Sequence, residues 1–354
     1  MYPKLVIDLK SIEHNITALI DMFKKRGVEL SFVTKGCSAD RRVVETIVRA
    51  GAETLADSRI ENLKSYQDLN VQKILLRIPM LSEVEKVVKY SDISMNSSIE
   101  TIRLLSEEAL KQGKVHKIIL MLDMGDLREG IFDEEEMFDT FEEIVKLKGI
   151  ELLSVGVNLT CYGAIIPSRE NLSRLVSLKE EFEKRFHISI PEVSGGNSSS
   201  IDLILKEDIK GVNRLRIGEG YLRGVESSYG TRIDGTKCNA FTLKAEIIEL
   251  KEKPSVPIGE VGKDAFGNVP EFVDRGIRKK AIIGIGKQDV HPDDIHPIDG
   301  DIIILGASSD HTILDVTDSK INYKLGDIVE FNLDYGAILS LSTSKYVDRE
   351  YIWP

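Results

Sequence analysis

Short apolar runs alternate with amphipathic stretches along the N-terminal part of the chain. Between about residue 30 and residue 224, each strand-like run is followed by a segment whose apolar positions repeat with the period of a helix. The strand-like runs are LSFVTKG, ETLADS, KILLRIP, DISMN, KIILMLDMG, LLSVGVNLT, PEVSGGN and RLRIGEG. Eight β/α units in about 200 residues predict an α/β fold, a closed (β/α)8 TIM barrel.

The pattern changes after about residue 232. Helical periodicity disappears, and alternating runs such as FTLKAEIIEL, KKAIIGIG, DIIILGA and DIVEFNL are separated by Gly, Pro and Asp. We therefore predict a barrel over residues 1–232 and a β-rich C-terminal domain over residues 233–354.

Composition narrows the class of function. Of the 354 residues, 42% are hydrophobic and 30% are charged, which is typical of a globular protein with a substantial core. The net charge of -11 argues against nucleic acid, and the three cysteines are too far apart to suggest a disulfide framework or a zinc site. No apolar run is long enough for a membrane helix or a signal peptide, so we expect a cytoplasmic protein that acts on small molecules.

The last two barrel strands end in glycine-rich segments that favour an anion. In GGNSSSIDLIL, two glycines allow close backbone approach, and Asn197 and Ser198 open a helix with free N–H groups. In RLRIGEG, Arg214 and Arg216 share one face and Gly218 again permits close approach. The alternatives are that Asn197 and Ser198 only cap a helix and that each arginine only forms an internal ion pair.

Lys35 lies at the end of the first barrel strand, in LSFVTKG, and we expect it on the opposite side of the barrel mouth. A lysine that faces a desolvated cavity can form a Schiff base, whereas one that extends into solvent stays an inert ammonium. An amine combined with an anion-binding cradle specifies a ligand with an aldehyde and a phosphate. Pyridoxal 5'-phosphate is such a ligand.

The ordered motifs resemble the fold-type III, alanine-racemase-like pyridoxal-phosphate enzymes. FVTKG resembles the segment with the Schiff-base lysine, here Lys35, and DMGDLREG resembles the segment whose arginine, here Arg128, contacts the cofactor and the substrate carboxylate. Asn158 in GVNLTCYG falls where a side chain packs on the cofactor ring, and GGNSSS resembles the phosphate loop. The resemblance implies that Arg216 faces the pyridine nitrogen and that Gly218 donates to the phosphate.

The family builds its active site across a head-to-tail homodimer, and the resemblance implies the same assembly here, with the C-terminal domain contributing to the site. SSDHTILDV resembles the segment that reaches the substrate carboxylate from the other subunit, which makes Asp310 and His311 candidates in trans. The alternative is a solvated turn before a strand.

Three departures from the family pattern concern residues with chemical roles. Ala39 replaces a tyrosine after the lysine, and Met121 replaces a lysine that is often carbamylated. The tyrosine that acts as the base from the second subunit aligns at or about Ile258, which cannot accept a proton. A two-base racemase needs a group on each face of the substrate, so His291, Asp310 and His311 are the candidate replacements.

The motifs are most similar to the alanine/ornithine-racemase branch of the family. This implies racemisation at Cα of ornithine, or of lysine and related basic amino acids, and Glu260, Asp289 or Asp310 could receive a distal ammonium. The alternatives are an alanine racemase of relaxed specificity, a decarboxylase if Glu219 points inward, a non-catalytic cofactor carrier, and an aldolase that uses Lys35 without a cofactor.

Overall fold

The computed structural model describes residues 1–353, which form two compact units. Leu9–Cys238 is one unit, and Met1–Asp8 together with residues 239–353 is the other. The first strand, β1 (Lys4–Asp8), therefore does not belong to the barrel unit, to which the sequence analysis assigned residues 1–232. None of the helices in the described part of the chain combines the length and the apolar character needed to cross a bilayer.

Eight parallel strands close into a barrel within the first unit, as the sequence predicts. They are β2 (Glu29–Val33), β3 (Thr54–Asp57), β4 (Gln72–Leu75), β5 (Ile93–Asn96), β6 (His116–Met121), β7 (Ile150–Gly156), β8 (Glu192–Ser194) and β9 (Arg214–Ile217). The barrel closes where β9 pairs with β2, in a register that sets Ile217 beside Phe32.

Helices precede, connect and follow the barrel strands. They are α1 (Leu9–Lys24), α2 (Arg41–Arg49), α3 (Ile60–Ser65), α4 (Val84–Tyr90), α5 (Ile99–Lys111), α6 (Glu134–Ile144), α7 (Arg169–Phe186), α8 (Ile201–Lys206) and α9 (Glu219–Leu222). Side chains fix several of their starts because the first backbone N–H groups of a helix lack partners within it. Asp40 accepts from the first turn of α2, Asp133 caps α6, and Ser168 forms a capping box with Asn171 on α7.

Apolar side chains from neighbouring strands fill the barrel interior, including Val33, Ala56, Ile74, Ile93, Met95, Ile119, Met121 and Leu153. Met121, which stands where the related enzymes often carry a modified lysine, is completely buried in this cluster. Its role is therefore to pack the core.

The second unit is built on an antiparallel sheet. It contains β10 (Phe241–Pro254), β11 (Ile277–Ile283), β12 (Ile295–Pro297), β13 (Ile303–Ala307), β14 (Thr312–Asp315), β15 (Ile328–Leu333), helix α10 (Tyr335–Thr343) and β16 (Asp348–Ile352). The sheet order is β12-β15-β10-β11-β14-β13, and β1 pairs antiparallel with β10 and parallel with β16. These pairings explain why the first eight residues belong to this unit.

Arg214 ties β9 to its neighbours at the amino-terminal end of the barrel. Its guanidinium donates to both carboxylate oxygens of Glu192 at 2.7 Å and to Glu29 at 2.6 Å, and its side chain is only 5% exposed. Arg214 therefore forms an internal ion pair, which was the alternative to an anion-binding role.

We expect Arg214→Ala to lower the free energy of unfolding by about 3 kcal/mol, since the substitution leaves Glu192 without its partner in a buried setting. Arg174 is a matched control because it also pairs with two carboxylates, Glu134 and Glu181, but is 37% exposed. Arg174→Ala should cost less than about 1 kcal/mol. Urea unfolding monitored by circular dichroism measures both, and equal losses would contradict the prediction.

Candidate functional site

The carboxyl ends of the barrel strands bring the sequence-predicted residues of the first unit to one face. Lys35 follows β2, Ser198 follows β8 and Gly218 follows β9. Because β8 pairs with β9 and β9 pairs with β2, these three strand ends are neighbours around the barrel. The expectation that Lys35 lies opposite the other two was wrong, since closure of the barrel makes its first and last strands adjacent.

Lys35 projects from a tight turn at the mouth of the barrel. Strand β2 ends at Val33, two residues before Lys35. Thr34 follows the strand and precedes a short 3-10 turn, Lys35–Cys37. The Lys35 side chain is exposed, whereas the residues on both sides of it, Thr34 and Gly36, are buried. The Tyr221 hydroxyl donates to the Val33 carbonyl at 2.9 Å and so ties this strand end to the segment after β9.

Asp57 and Tyr66 form a buried polar layer beneath this turn, which the sequence analysis did not identify. The Thr34 hydroxyl donates to Asp57 Oδ2 at 2.7 Å and lies 3.1 Å from the Tyr66 hydroxyl. Burial raises the pKa of Asp57, while hydrogen bonds from Thr34, the Arg59 amide and Asn62, and the positive charge of Lys35, oppose that rise. Asp57 and Asn62 both belong to the segment ADSRIENL, but the sequence of that segment does not reveal the contact between Asp57 and Thr34.

Packing and backbone geometry explain the glycines of GGNSSS. A Cβ on Gly195 would lie 2.5 Å from Val212, and Gly196 has a φ of +110°, which side chains disfavour. The Asn197 side chain accepts from the Ser199 amide at 2.8 Å, as the capping interpretation expects. The side-chain amide of Asn197 also donates to Asn158, so capping is only part of its role.

Ser198 lies between the two glycine-rich strand ends. Its hydroxyl oxygen accepts from the Gly218 amide at 3.2 Å and from the Gly220 amide at 3.1 Å. A hydroxyl that accepts two hydrogen bonds still has its own proton to donate. The neighbouring Ser199 hydroxyl is buried and has no hydrogen-bond partner within residues 1–353. Buried hydroxyls of this kind normally have partners, so the two serines fit an anionic group such as a phosphate.

Arg216 is held in the barrel by neutral hydrogen-bond acceptors. Its guanidinium donates to the Ser194 hydroxyl and, at 2.6 Å, to the Val157 carbonyl, both of which are neutral acceptors. Burial lowers the pKa of Arg216 to about 10, and the charge of Glu129 opposes that change. Arg216 therefore remains a cation near neutral pH and differs from Arg214, two residues earlier, which is paired with carboxylates.

A hydrogen-bonded chain links the ends of β6, β7 and β8. Arg128 pairs with Glu129 at 2.6 Å, and Glu129 accepts from the Asn158 amide at 3.0 Å. Asn158 in turn accepts from Asn197 at 2.7 Å. The structure thus joins three predicted site residues through Glu129, which the sequence analysis missed because its position beside Arg128 gives no sign of this contact.

Glu219 is the first residue of α9, where it forms an ion pair with Arg223 one helical turn later. Its carboxylate is therefore already engaged by a cation. This arrangement argues against the role at a pyridine nitrogen that a decarboxylase would require.

The remaining candidates lie in the second unit. Asp310 and His311 pair with each other at 2.9 Å between β13 and β14, and the hydrogen bond from His311 holds the pKa of Asp310 below its usual range. The His291 ring accepts from the Asp293 amide at 3.4 Å. Asp289 accepts from Ser344 at 2.6 Å, and Glu260 is exposed.

The reactivity of the Cys37 thiol can be used to test whether the Lys35 turn is buried. Burial, together with the charges of Asp40 and Asp57, raises the pKa of Cys37 to about 12, whereas Cys161 is exposed. A thiol with a raised pKa carries little of the reactive thiolate at neutral pH. We therefore expect iodoacetamide at about pH 8 to label Cys161 and to spare Cys37 in the native protein, with both labelled after unfolding. Peptide mass spectrometry measures this, and rapid native labelling of Cys37 would contradict it.

Comparisons with known proteins agree with this architecture. The family model described as alanine racemase, N-terminal domain, matches residues 7–222. The chain is 49% identical over 353 residues to ornithine racemase of Acetoanaerobium sticklandii, covering 99% of this chain and 100% of that protein. It is 40% identical over 354 residues to lysine racemase of Thermotoga maritima, covering 99% of each.

The fold also matches a solved structure. Alanine racemase from Bartonella henselae, with covalently bound pyridoxal phosphate, superposes with a TM-score of 0.76 at 20% identity, covering 99% of this chain and 100% of that one. The barrel followed by a β domain is therefore the architecture of these enzymes, and the resemblance inferred from the motifs is confirmed. The chain belongs to the alanine racemase N-terminal domain family.

Proposed function

We propose that this protein is a pyridoxal-phosphate-dependent amino-acid racemase that interconverts the L and D forms of ornithine, with lysine as the second candidate substrate. One observation carries the proposal: the Lys35 turn adjoins a strand end where the Gly218 and Gly220 amides set the Ser198 hydroxyl in place and leave its proton free to donate. The names of the two full-length relatives, ornithine racemase and lysine racemase, support the choice of substrate.

Different residues at the barrel mouth would bind different parts of the cofactor. Ser198, with the backbone after Asn197 and at Gly218, would bind the phosphate, and Arg216 would face the pyridine nitrogen. Asn158 would contact the ring. When bound, pyridoxal phosphate supplies an aldehyde for the Lys35 amine and an electron sink that acidifies the Cα proton of the substrate.

Arg216 favours reversible proton transfer over other reactions of the same cofactor. A guanidinium donates hydrogen bonds and keeps its proton, so it leaves the pyridine nitrogen unprotonated and limits charge delocalisation into the ring. The two neutral acceptors of Arg216 leave its charge free for this role. A carboxylate at this position would favour decarboxylation, and Glu219 is instead paired with Arg223.

Proton transfer at Cα needs a group on each face of the substrate. The Lys35 amine would serve one face, and Arg128 would bind the substrate carboxylate. We propose that the second group comes from the partner subunit of a homodimer, with His291, Asp310 and His311 as the candidates. Glu260 is a further candidate. It is the carboxylate in VPIGEVG, the segment in which the family's tyrosine aligns at or about Ile258.

Exposed apolar side chains support a homodimer. The irregular segment between β10 and β11 exposes Ile258 at 91%, Val273 at 69% and Val269 at 66%. Apolar side chains clustered on one exposed segment favour burial against another protein surface. A second copy of this chain is the proposed partner because related racemases share their active sites between subunits.

Lys35→Ala should abolish both the visible absorbance of the bound cofactor and racemisation, because no other residue of the proposed site offers an amine. In wild type, borohydride should erase the absorbance and leave the cofactor mass on Lys35. A racemisation screen over ornithine, lysine, arginine, alanine and serine should give ornithine the highest kcat/KM. Lys10→Ala, which alters an exposed lysine on α1, is the control.

The outcomes of this experiment separate the alternatives. Retained activity in Lys35→Ala would refute the role of Lys35. Cofactor absorbance without racemisation of any amino acid would indicate a carrier, and Schiff-base chemistry without bound cofactor would indicate an aldolase. A preference for alanine would contradict the proposed substrate.

The shared site predicts complementation between inactive variants. If His311 acts in trans, a mixed dimer of Lys35→Ala and His311→Ala has one site with both residues intact. Random mixing of refolded subunits should then restore about a quarter of wild-type activity. The same mixing with Asp310→Ala, His291→Ala and Glu260→Gln tests the other candidates. A residue acts in trans if its inactive variant restores activity when mixed with Lys35→Ala. If every inactive variant failed to complement Lys35→Ala, the shared site would be disproved.

A further inference from the structure

Asp57 is a buried ionisable group that has no part in the roles assigned above. It is the last residue of β3, at the carboxyl end of the barrel, and it is completely buried. Its Oδ1 accepts from the Arg59 amide at 2.9 Å and from Asn62 at 3.1 Å, and its Oδ2 accepts from the Thr34 hydroxyl at 2.7 Å. A buried carboxylate costs free energy even when it is hydrogen-bonded, so its presence calls for a function.

The hydrogen bonds around Asp57 run in one direction. The Thr34 hydroxyl has one proton and two acceptors, Asp57 at 2.7 Å and the more distant Ala56 carbonyl at 3.3 Å, so we infer that the Tyr66 hydroxyl at 3.1 Å donates to Thr34. Burial and the charge of Asp57 raise the pKa of Tyr66, which keeps its proton available for this bond. The result is a chain from Tyr66 through Thr34 to Asp57.

Thr34 is also the base of the turn that carries Lys35. Its amide donates to the Ala56 carbonyl at 2.8 Å, and its own carbonyl accepts from the amides of Cys37 at 3.2 Å and Ala39 at 3.1 Å. The Cys37 thiol donates to the same carbonyl at 3.2 Å. Every polar group of Thr34 is therefore bound, and Lys35 is the next residue.

We propose that Asp57, acting through Thr34, is a positioning residue that fixes the Lys35 turn and sets a buried negative charge beneath it. The inference rests on the proposed function and deepens it. The positive charge of Lys35 stabilises the ionised form of Asp57, so the two charges attract each other. The Lys35 side chain is exposed, so the hydrogen bonds of Thr34 fix the backbone from which it projects rather than the amine itself. An amine that starts from a fixed backbone has fewer arrangements to search before it reaches an aldehyde.

The test measures how fast the apoprotein captures pyridoxal phosphate at Lys35, which needs no turnover. The visible band gives the second-order rate constant, and borohydride trapping with mass spectrometry confirms that the adduct is on Lys35. Thr34→Val removes the hydroxyl with little change of shape, and Asp57→Asn removes the charge but keeps an acceptor. Each should slow capture about tenfold, while Thr34→Ser, which keeps the hydroxyl, should stay within about twofold of wild type.

Thr46→Val is the matched control. Thr46 is equally buried, and its hydroxyl donates to the Arg42 carbonyl within α2, so the variant also removes a buried hydroxyl bond. It should reduce stability to a similar degree and leave the capture rate unchanged. Urea unfolding of each variant separates loss of fold from loss of positioning.

The outcomes distinguish this inference from the proposed function. If wild type fails to capture the cofactor, the proposed function fails. If wild type captures it and folded Thr34→Val or Asp57→Asn captures it equally fast, the positioning inference is overturned. If Thr34→Val does not fold, the comparison of Asp57→Asn with Thr34→Ser decides by the same criterion.

Discussion

Pairing of β9 with β2 closes the barrel, and the candidate site depends on that closure. All eight strands are parallel, so their carboxyl ends lie on one face. The register that sets Ile217 beside Phe32 also brings Gly218 against Val33, where a Cβ on the glycine would lie 3.4 Å from that of the valine. Two segments that are far apart in sequence thereby become neighbours without any long connecting loop. One carries an amine, and the other carries hydrogen-bond donors suited to an anion.

The polar interior of the barrel is divided along β9. At the amino-terminal end, Arg214 is neutralised by Glu29 and Glu192, an arrangement that holds strands together and leaves no charge for a ligand. At the carboxyl end, Arg216 is held by a hydroxyl and a carbonyl and keeps its charge. The same residue type in the same strand is therefore paired with carboxylates at one end and with neutral acceptors at the other, and these partners decide how much of its charge is available to a ligand.

The sequence predicts the barrel well because each of its strands is a short apolar run bounded by helical periodicity. It assigns β1 to the wrong unit because a local pattern does not reveal which strands pair, and β1 pairs with β10 and β16. The candidate residues at the strand ends were chosen by their types and order, and the parallel barrel places Lys35, Ser198 and Gly218 on one face. Asp57 and Glu129 were missed since their importance lies in contacts with Thr34 and Asn158, which only the folded chain brings together.

The acidic character of the chain and its anion-binding strand ends are compatible because they act over different distances. A net charge of -11 repels anions only through screened fields, which decay over about 8–10 Å at physiological salt. The donors proposed to hold the cofactor act at contact: the Ser198 hydroxyl, set in place by the Gly218 and Gly220 amides, for the phosphate, and the buried Arg216 for the ring. The proposed phosphate would then be held by short-range donors, while the long-range field attracts cations. A basic amino acid, the proposed substrate, combines the cationic character favoured by that field with a carboxylate that Arg128 is proposed to bind.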